Sequence, residues 1–314
     1  MDYLFLFLGL ALLILSGEFL VRGAVGIALG ARISTLVVGL TVVSFGTSAP
    51  ELVVCIQAAL SDHPDIAIGN IVGSNMANLG LVLGIVAILF PLSVNRNSLR
   101  IDWPVMMIAS IGFFILILDL KVQFYEGIIY LIFLITYLTF LVRKSRKEQV
   151  VVADQTKTTG ESKPTRALWI NITLIILGSA GLVLGSHWFV GGAVVVARDF
   201  DVSEKIIGLS LVALGTSLPE LVTSIIAGFK KEADLVIGNL IGSNIFNILA
   251  IGGITSIVHE IPVNLSFIQM DIYWMLGISL LILPLAFRGS RLGRGSGMIL
   301  LSVYVVYMYL TFKG

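Results

Sequence analysis

Charged residues and cysteines are scarce in this sequence, and each scarcity excludes a class of protein. Only 12% of its 314 residues are charged, whereas about a quarter are charged in soluble globular domains. The single cysteine, Cys55, cannot form an intrachain disulfide or a metal site made of several cysteines. A nucleophile–base pair, a nucleotide-binding loop and a zinc motif are also missing. We therefore expect no enzyme, no cofactor and no nucleic-acid partner.

Long apolar runs account for most of the chain. Of all residues 57% are apolar and the mean hydropathy is +1.01, and the runs have about the twenty residues that an α-helix needs to cross a bilayer. The first run follows Met1 and Asp2 without a basic leader, so we expect it to be retained as a helix. We predict an all-α, multi-pass protein of the cell membrane. Its ten transmembrane helices lie near residues 3–30, 34–60, 65–90, 103–120, 123–142, 167–197, 204–229, 234–258, 271–288 and 296–312.

One polar stretch divides the chain into two halves. Residues 143–166 are rich in Lys, Thr, Ser and Glu, and they connect five predicted helices in residues 1–142 to five in residues 167–314. If this linker is cytoplasmic, sixteen of the twenty Lys and Arg residues lie on the cytoplasmic side, as the positive-inside rule requires. Both termini are therefore predicted to lie outside. The four basic residues on the outer side are Lys121, Arg198, Lys205 and Lys313.

The two halves are related by an internal repeat. A shift of 169 residues aligns 39–53 with 208–222, where ten of fifteen residues are identical, and 65–78 with 234–247, where eight of fourteen are identical. Chance would give about one identity in each window. Because each half has five spans, the second half enters the membrane from the opposite side. The sequence thus predicts two inverted five-helix repeats, whose equivalent residues meet near the midplane of the membrane.

The segments that are most alike between the halves also contain the unusual polar residues. Residues 46–51 (Gly-Thr-Ser-Ala-Pro-Glu) and 215–220 (Gly-Thr-Ser-Leu-Pro-Glu) place a carboxylate in mid-span, beside a Gly and a Pro that interrupt the helix and free backbone carbonyls. Residues 73–78 (Gly-Ser-Asn-Met-Ala-Asn) and 242–247 (Gly-Ser-Asn-Ile-Phe-Asn) each present a Ser and an Asn four positions apart, on one helix face.

These four segments offer carboxylate, hydroxyl, amide and backbone oxygens. Calcium binds six to eight such oxygens at about 2.3–2.6 Å. Glu51 and Glu220, if ionised in mid-membrane, each cost about 2.5–3.5 kcal/mol on insertion scales, and no Lys or Arg lies at their depth in these helices. We therefore expect a transported cation, or protons when the site is empty, to neutralise the two acids. Asp102 and Asp271, which are also related by the repeat, are predicted to be N-terminal helix caps.

The paired motifs resemble the duplicated α-repeats of the cation/calcium antiporter superfamily and, within it, the prokaryotic sodium/calcium exchangers. The resemblance covers almost the whole chain. It implies a core of the second, third, seventh and eighth helices, against which the first and sixth slide as a gate. It also implies that Glu51 and Glu220 are shared ligands of calcium and sodium. The remaining ion ligands that it implies are Thr47, Ser48, Thr216, Ser217, Ser74, Ser243, Asn78, Asn247 and the backbone carbonyls of Ser44 and Ala213.

Three functions remain open on the sequence alone. The leading one is a secondary antiporter that exchanges Na⁺ for Ca²⁺ by alternating access, and exchange of three sodium ions for one calcium ion would be electrogenic. Because mid-membrane glutamates also bind protons, a calcium antiporter coupled to H⁺ is the alternative. A passive cation channel is a third, which the closed, duplicated site disfavours. The sequence departs from the family that it resembles at Asn247, where many members carry an Asp that the potassium-dependent exchangers use, so coupling to potassium is less expected than coupling to sodium alone.

Overall fold

Helices make up nearly all of the described chain. The structure, a computed structural model, describes residues 2–155, 167–199, 213–287 and 289–313. In chain order the helices are α1 (Asp2–Ala31), α2 (Thr35–Thr47), α3 (Ala49–Leu60), α4 (Pro64–Leu89), α5 (Ser98–Asp119), α6 (Phe124–Gln155), α7 (Leu168–Asp199), α8 (Ala213–Thr216), α9 (Leu218–Phe229), α10 (Ala233–Val258), α11 (Phe267–Phe287) and α12 (Arg294–Lys313).

Several of these helices have the length and apolarity of membrane spans. Within the described residues seven qualify, namely α1, α4, α5, α6, α7, α10 and α11, and an eighth is added if α2 and α3, which meet at 45°, cross together. The chain is therefore a multi-pass integral membrane protein, as its composition predicts. Residues 204–212, where the predicted seventh span begins, lie outside the described residues. The number of ten spans and the position of the termini stay predictions.

Helix α6 is longer than predicted. The hydropathy pattern ends the fifth span at residue 142, but α6 continues to Gln155, so the first part of the predicted linker is helical. The reason is that residues 143–155 contain no Gly or Pro and many strong helix formers. Lys144 and Glu148, one helical turn apart, also form an ion pair of 3.8 Å. Residues 156–166 lie outside the described residues.

The two repeated aspartates are not helix caps. Helices α5 and α11 begin before them, and each aspartate ends a stretch of π-helix at the start of its helix. Asp102 Oδ1 instead accepts a hydrogen bond from the hydroxyl of Tyr137, and Asp271 Oδ1 accepts one from that of Tyr307, both at 2.9 Å. The prediction of caps was wrong because the helices start one turn earlier than the hydropathy pattern indicates.

Helices α1 and α7, which the repeat makes equivalent, pack against each other in antiparallel orientation. Leu6 lies beside Gly192 and Leu20 beside Gly178, so the residue number rises along one helix while it falls along the other. A Cβ atom on Gly178 would lie 2.7 Å from the backbone nitrogen of Leu20. Only glycine permits this close approach of two backbones, which small residues commonly allow between membrane helices.

Two short antiparallel ladders join the halves. Strand β1 (Leu92–Ser93) pairs with β4 (Arg291–Leu292), and β2 (Lys121–Val122) pairs with β3 (Ile261–Pro262). A shift of 169 residues along the sequence relates β1 to β3, and a shift of 170 residues relates β2 to β4. The repeat therefore exchanges the two ladders with each other.

The core of the protein lies around α10 and α4. The apolar stretch of α10 is buried over its whole length and that of α4 over most of it, whereas α1 and α7 are largely exposed on their outer surface. Helix α10 packs directly on α2, because Gly238 lies against the backbone of Gly39 and Leu40. This contact brings the motif of one half next to that of the other.

Candidate ion-binding site

Two equivalent helix breaks form the centre of the site. Ser48 separates α2 from α3 with φ −85° and ψ 9°, and Ser217 separates α8 from α9 with φ −86° and ψ 2°. Pro50 and Pro219 lie in the first turn after each break. Because proline has no N–H to donate, the helical hydrogen-bond ladder cannot run through these positions. The end of one helix and the start of the next therefore meet at each break, as the motifs predict.

Both predicted glutamates lie in the first turn after a break and are completely buried. Glu51 and Glu220 are each 0% exposed. Glu220 Oε1 accepts hydrogen bonds from Ser48 Oγ at 3.1 Å and from Ser243 Oγ at 3.3 Å, so it contacts both halves of the chain. Glu220 Oε2 and both carboxylate oxygens of Glu51 have no hydrogen-bond partner among the described residues. When both are ionised, the two acids repel each other.

Hydroxyl groups of both halves lie around Glu220. Thr47 Oγ1 lies 3.2 Å from Asn239 Oδ1 and 3.4 Å from Ser243 Oγ. Ser217 is buried, and its Oγ has no partner within the described part of the chain. Ser74 is buried as well. The structure thus brings the hydroxyls of Thr47, Ser48 and Ser243 together beside Glu220.

Thr216 lies at the edge of this region. It is partly exposed and, with Ser74, lines a cavity of about 500 Å³ between α4, α11 and α12. Ala213 begins helix α8, and the residues that precede it lie outside the described chain. The role predicted for its carbonyl group stays a prediction.

The amides differ between the halves. Asn78 is 0% exposed, and neither polar atom of its side chain has a partner in the described residues. Asn247 is also buried, but its Nδ2 donates to Asn75 Oδ1 at 3.2 Å. This bond holds the amide of Asn247 in one orientation and leaves its Oδ1 without a described partner. Both residues therefore have an oxygen available for a cation.

Ser44, which is predicted to bind the ion through its carbonyl group, makes several hydrogen bonds within the protein. Its backbone oxygen accepts the N–H of Ser48 at 2.9 Å and lies 3.4 Å from Thr47 Oγ1. Its hydroxyl lies 2.7 Å from the carbonyl oxygen of Gly39 and 2.9 Å from that of Asn239, so it can donate to either. Ser44 thus connects α2 with α10 beside the site.

With both acids ionised the candidate site is anionic, and all the ligand atoms predicted for it are oxygens. The two acids give it a formal charge of minus two, and their neighbours are hydroxyl, amide and carbonyl groups. The described residues contain no group of three or more His, Cys, Asp or Glu side chains that could hold a metal ion. A cation would therefore need neutral oxygens in addition to the two carboxylates. Such a mixed set of hard ligands suits sodium and calcium better than zinc or copper.

Two residues near the site were missed by the sequence reasoning. Asn239 contacts Thr47, and the equivalent Asn70 donates to the backbone oxygen of Glu51 at 3.4 Å. Both lie outside the Gly-Thr-Ser-x-Pro-Glu and Gly-Ser-Asn motifs from which the ion ligands are predicted. The signal was present, because this Asn is identical in the aligned windows of the two halves.

Known proteins resemble this chain over its full length. The model of the sodium/calcium exchanger protein family matches residues 1–143 and 170–313. The chain is 36% identical over 313 residues to "Putative antiporter CaxA" of Alkalimonas amylolytica, covering 99% of this chain and 98% of that protein. It is 29% identical over 348 residues to the sodium/calcium exchanger MaX1 of Methanosarcina acetivorans, covering 99% and 98%. A solved structure of the sodium-calcium exchanger NCX_Mj superposes with a TM-score of 0.83 at 31% identity, covering 98% of this chain and 97% of that one.

The family match includes all the residues of the candidate site. It leaves out residues 144–169, which contain most of the polar linker that separates the two halves. Proteins of this family are membrane transporters rather than enzymes, in agreement with the absence of catalytic motifs from the sequence. The chain belongs to the sodium/calcium exchanger protein family.

Proposed function

We propose that this protein exchanges Na⁺ for Ca²⁺ across the membrane by alternating access at the site between the two helix breaks. The observation that carries the proposal is the state of the acids. Three of the four carboxylate oxygens of Glu51 and Glu220 are buried without a described partner. Buried polar groups are otherwise almost always hydrogen-bonded. Oxygens of this kind are suited to a ligand that enters and leaves.

The oxygen donors around the two acids support calcium and sodium as the transported ions. Carboxylate, hydroxyl and amide oxygens are the groups that bind these hard cations. Two of the similar proteins, MaX1 and NCX_Mj, are named sodium/calcium exchangers. We propose as ligands the set that the sequence predicts: Glu51, Glu220, Thr47, Ser48, Thr216, Ser217, Ser74, Ser243, Asn78, Asn247 and the carbonyls of Ser44 and Ala213.

The proposed exchange is electrogenic. One calcium ion neutralises the site charge of minus two, whereas three sodium ions leave a charge of plus one. Exchange of three for one therefore moves net charge across the membrane, which is worth about 2.3 kcal/mol per elementary charge for each 100 mV.

We propose that the two halves form inverted five-helix repeats with both termini outside. The antiparallel packing of the equivalent helices α1 and α7 supports this arrangement, because helices of inverted halves run in opposite directions. The two strand ladders, which the repeat exchanges with each other, support it as well. In the proposed division residues 1–142 and 167–314 are the repeats and 143–166 the cytoplasmic linker.

Calcium uptake into proteoliposomes tests the proposed function. We expect vesicles loaded with sodium to take up external calcium, and vesicles loaded with potassium or choline not to. Glu51→Gln should abolish this uptake, because the amide cannot supply a negative charge. Glu260→Gln, which changes an exposed glutamate outside the site, should leave uptake unchanged. Normal uptake by Glu51→Gln would contradict the site assignment.

The same vesicles separate sodium coupling from proton coupling. Calcium uptake that a pH gradient drives without sodium would support the proton-coupled antiporter instead. Calcium flux that needs no counter-ion at all would indicate a channel. Sodium-dependent uptake that becomes faster when the potential favours charge movement would support three-for-one exchange.

A further inference from the structure

Asn70 and Asn239 are equivalent residues on the core helices α4 and α10. Each lies four positions before a serine of the candidate site, Ser74 or Ser243, so each asparagine shares a helix face with that serine. Neither belongs to the predicted ion ligands. Their contacts differ between the two halves, although the sequences around them are alike.

Asn239 holds the hydroxyl of Thr47. It is 1% exposed, and its Oδ1 accepts a hydrogen bond from Thr47 Oγ1 at 3.2 Å. Its Nδ2 donates to Ser224 Oγ at 3.3 Å, which determines that the oxygen end of the amide faces Thr47. A threonine hydroxyl has one hydrogen and two lone pairs. When the hydrogen is donated to Asn239, the lone pairs remain available for a cation.

Asn70 makes different contacts. It is partly buried, and its Nδ2 donates to the backbone oxygen of Glu51 at 3.4 Å and to Cys55 Sγ at 3.2 Å. Cys55 is the residue equivalent to Ser224. The nitrogen of each amide therefore donates to the equivalent residue of its own half, Cys55 for Asn70 and Ser224 for Asn239.

A cavity lies where Asn70 faces the equivalent threonine. Asn70 and Thr216 both line the space of about 500 Å³ between α4, α11 and α12. This space extends from Ser74 in the site to Thr311 near the end of α12. Asn239 and Thr47 are thus in direct contact, whereas the equivalent residues Asn70 and Thr216 both border a cavity that reaches Ser74 of the site.

We propose that Asn239 and Asn70 are positioning residues, which orient the hydroxyls of Thr47 and Thr216 in turn as the site closes toward one membrane face and then toward the other. The proposal rests on the proposed exchange by alternating access. In this structure Asn239 holds Thr47. In the opposite state Asn70 Oδ1 accepts a hydrogen bond from the hydroxyl of Thr216, and the bond between Asn239 and Thr47 is broken. Each asparagine acts through its threonine and does not itself bind the ion.

Kinetics measured separately from the two membrane faces test this proposal. Asn239→Leu keeps the number and branching of the side-chain heavy atoms and removes the hydrogen-bond acceptor. We expect it to raise the KM for calcium about fivefold on one face only, since one hydrogen bond is worth about 1 kcal/mol, with a smaller change in kcat. Asn70→Leu should raise the KM on the other face. A general loss of structure would not separate the two faces in this way.

A double-mutant cycle shows whether Asn239 acts through Thr47. Added to Thr47→Val, Asn239→Leu should have no further effect, because the hydroxyl that it orients is already missing. Thr41→Val is the matched control on the same helix, since the Thr41 hydroxyl donates within that helix, to Val37 O at 2.7 Å. In that background Asn239→Leu should keep its full effect.

The outcomes separate this proposal from the proposed function. Wild-type protein without sodium-driven calcium uptake would contradict the function itself. An active wild type in which Asn239→Leu leaves both KM values unchanged, or adds fully to Thr47→Val, would overturn the positioning role. If Asn239→Leu does not fold, Ser224→Ala carries the test, because it frees the Asn239 amide to turn. We expect a rise in KM of about twofold on the same face, and an unchanged KM would overturn the proposal.

Discussion

Replacing Glu51 with Gln should stabilise the protein while it removes ion binding. Glu51 is fully buried, and both of its carboxylate oxygens lack a described partner. In the absence of a cation the protein must therefore either hold an unpaired buried charge or protonate it. Gln has nearly the same shape and carries no charge. A residue kept for its ligand rather than for the fold should behave in this way.

The structure allows the size of the effect to be estimated. An ionised acid in mid-membrane costs about 2.5–3.5 kcal/mol, and an unpaired buried amide about 1–3 kcal/mol. Glu51→Gln should therefore stabilise the ion-free protein by about 1–2 kcal/mol. The gain for Glu220→Gln should be close to zero, because Glu220 Oε1 accepts two hydrogen bonds, from Ser48 and Ser243, which weaken when the acceptor loses its charge.

Thermal unfolding of the purified protein measures both effects. With a calcium chelator at pH 7 or above, the Tm of Glu51→Gln should exceed that of the wild type by several degrees, at about 2–4 °C per kcal/mol. The difference should shrink as the pH falls, because the wild-type acid can then take up a proton. Calcium at one hundred times its Kd should stabilise the wild type by about 2.7 kcal/mol and raise its Tm accordingly. It should leave the Tm of Glu51→Gln unchanged.

Two results would refute this reasoning. A Tm of Glu51→Gln below that of the wild type in chelator would mean that the carboxylate holds the fold together. A full calcium-induced shift in Glu51→Gln would mean that calcium binds elsewhere. Glu260→Gln, at an exposed position, is the control for the loss of one negative charge.

Two further predictions concern helix α1. Lys230 Nζ lies 2.8 Å from Glu18 Oε1 and connects α1 to the end of α9. Because both side chains are partly exposed, this ion pair contributes at most about 1 kcal/mol. Glu18→Gln should therefore change the rate of calcium exchange by at most about fivefold. High salt should reduce that difference, and a difference that survives it would contradict an ionic contact. Gly178→Val should lower the Tm and the exchange rate strongly, because its Cβ would lie 2.7 Å from a backbone nitrogen of α1. Gly112→Val, with nothing within 4 Å of its Cβ, is the matched control, and an equal loss in both would refute the packing argument.

The central acids could be identified from the sequence because they are exceptions within it. A carboxylate in a long apolar run is costly, so it stands out against its surroundings. Its recurrence after 169 residues shows that the exception is not accidental. Both acids are 0% exposed, and Glu220 contacts Ser48 of the opposite half. The membrane class follows equally directly, since composition alone reports the solvent in which the helices lie.

The hydrogen-bond partners in the site could not be predicted. Hydropathy indicates which residues are buried but not which helix from the other half lies across from them. Asn75 and Asn247 illustrate this, because their bond of 3.2 Å joins residues 172 positions apart. Helix α6 is a second case. Its extension to Gln155 follows from local helix propensity, whereas the prediction ended it where the apolar run ends.

The differences between the halves are the most informative part of the structure, because the sequence predicts none of them. A carboxylate oxygen of Glu220 accepts hydrogen bonds, whereas neither carboxylate oxygen of Glu51 has a partner among the described residues. The side chain of Asn247 is held by Asn75, while that of Asn78 has no described partner. Two copies of one motif can adopt either set of contacts, so we infer that this structure, in which each copy adopts a different set, is one of two related states. Exchanging the contacts between the copies would produce the other state without new interactions. The alternating access that we propose needs such a pair of states with similar free energy.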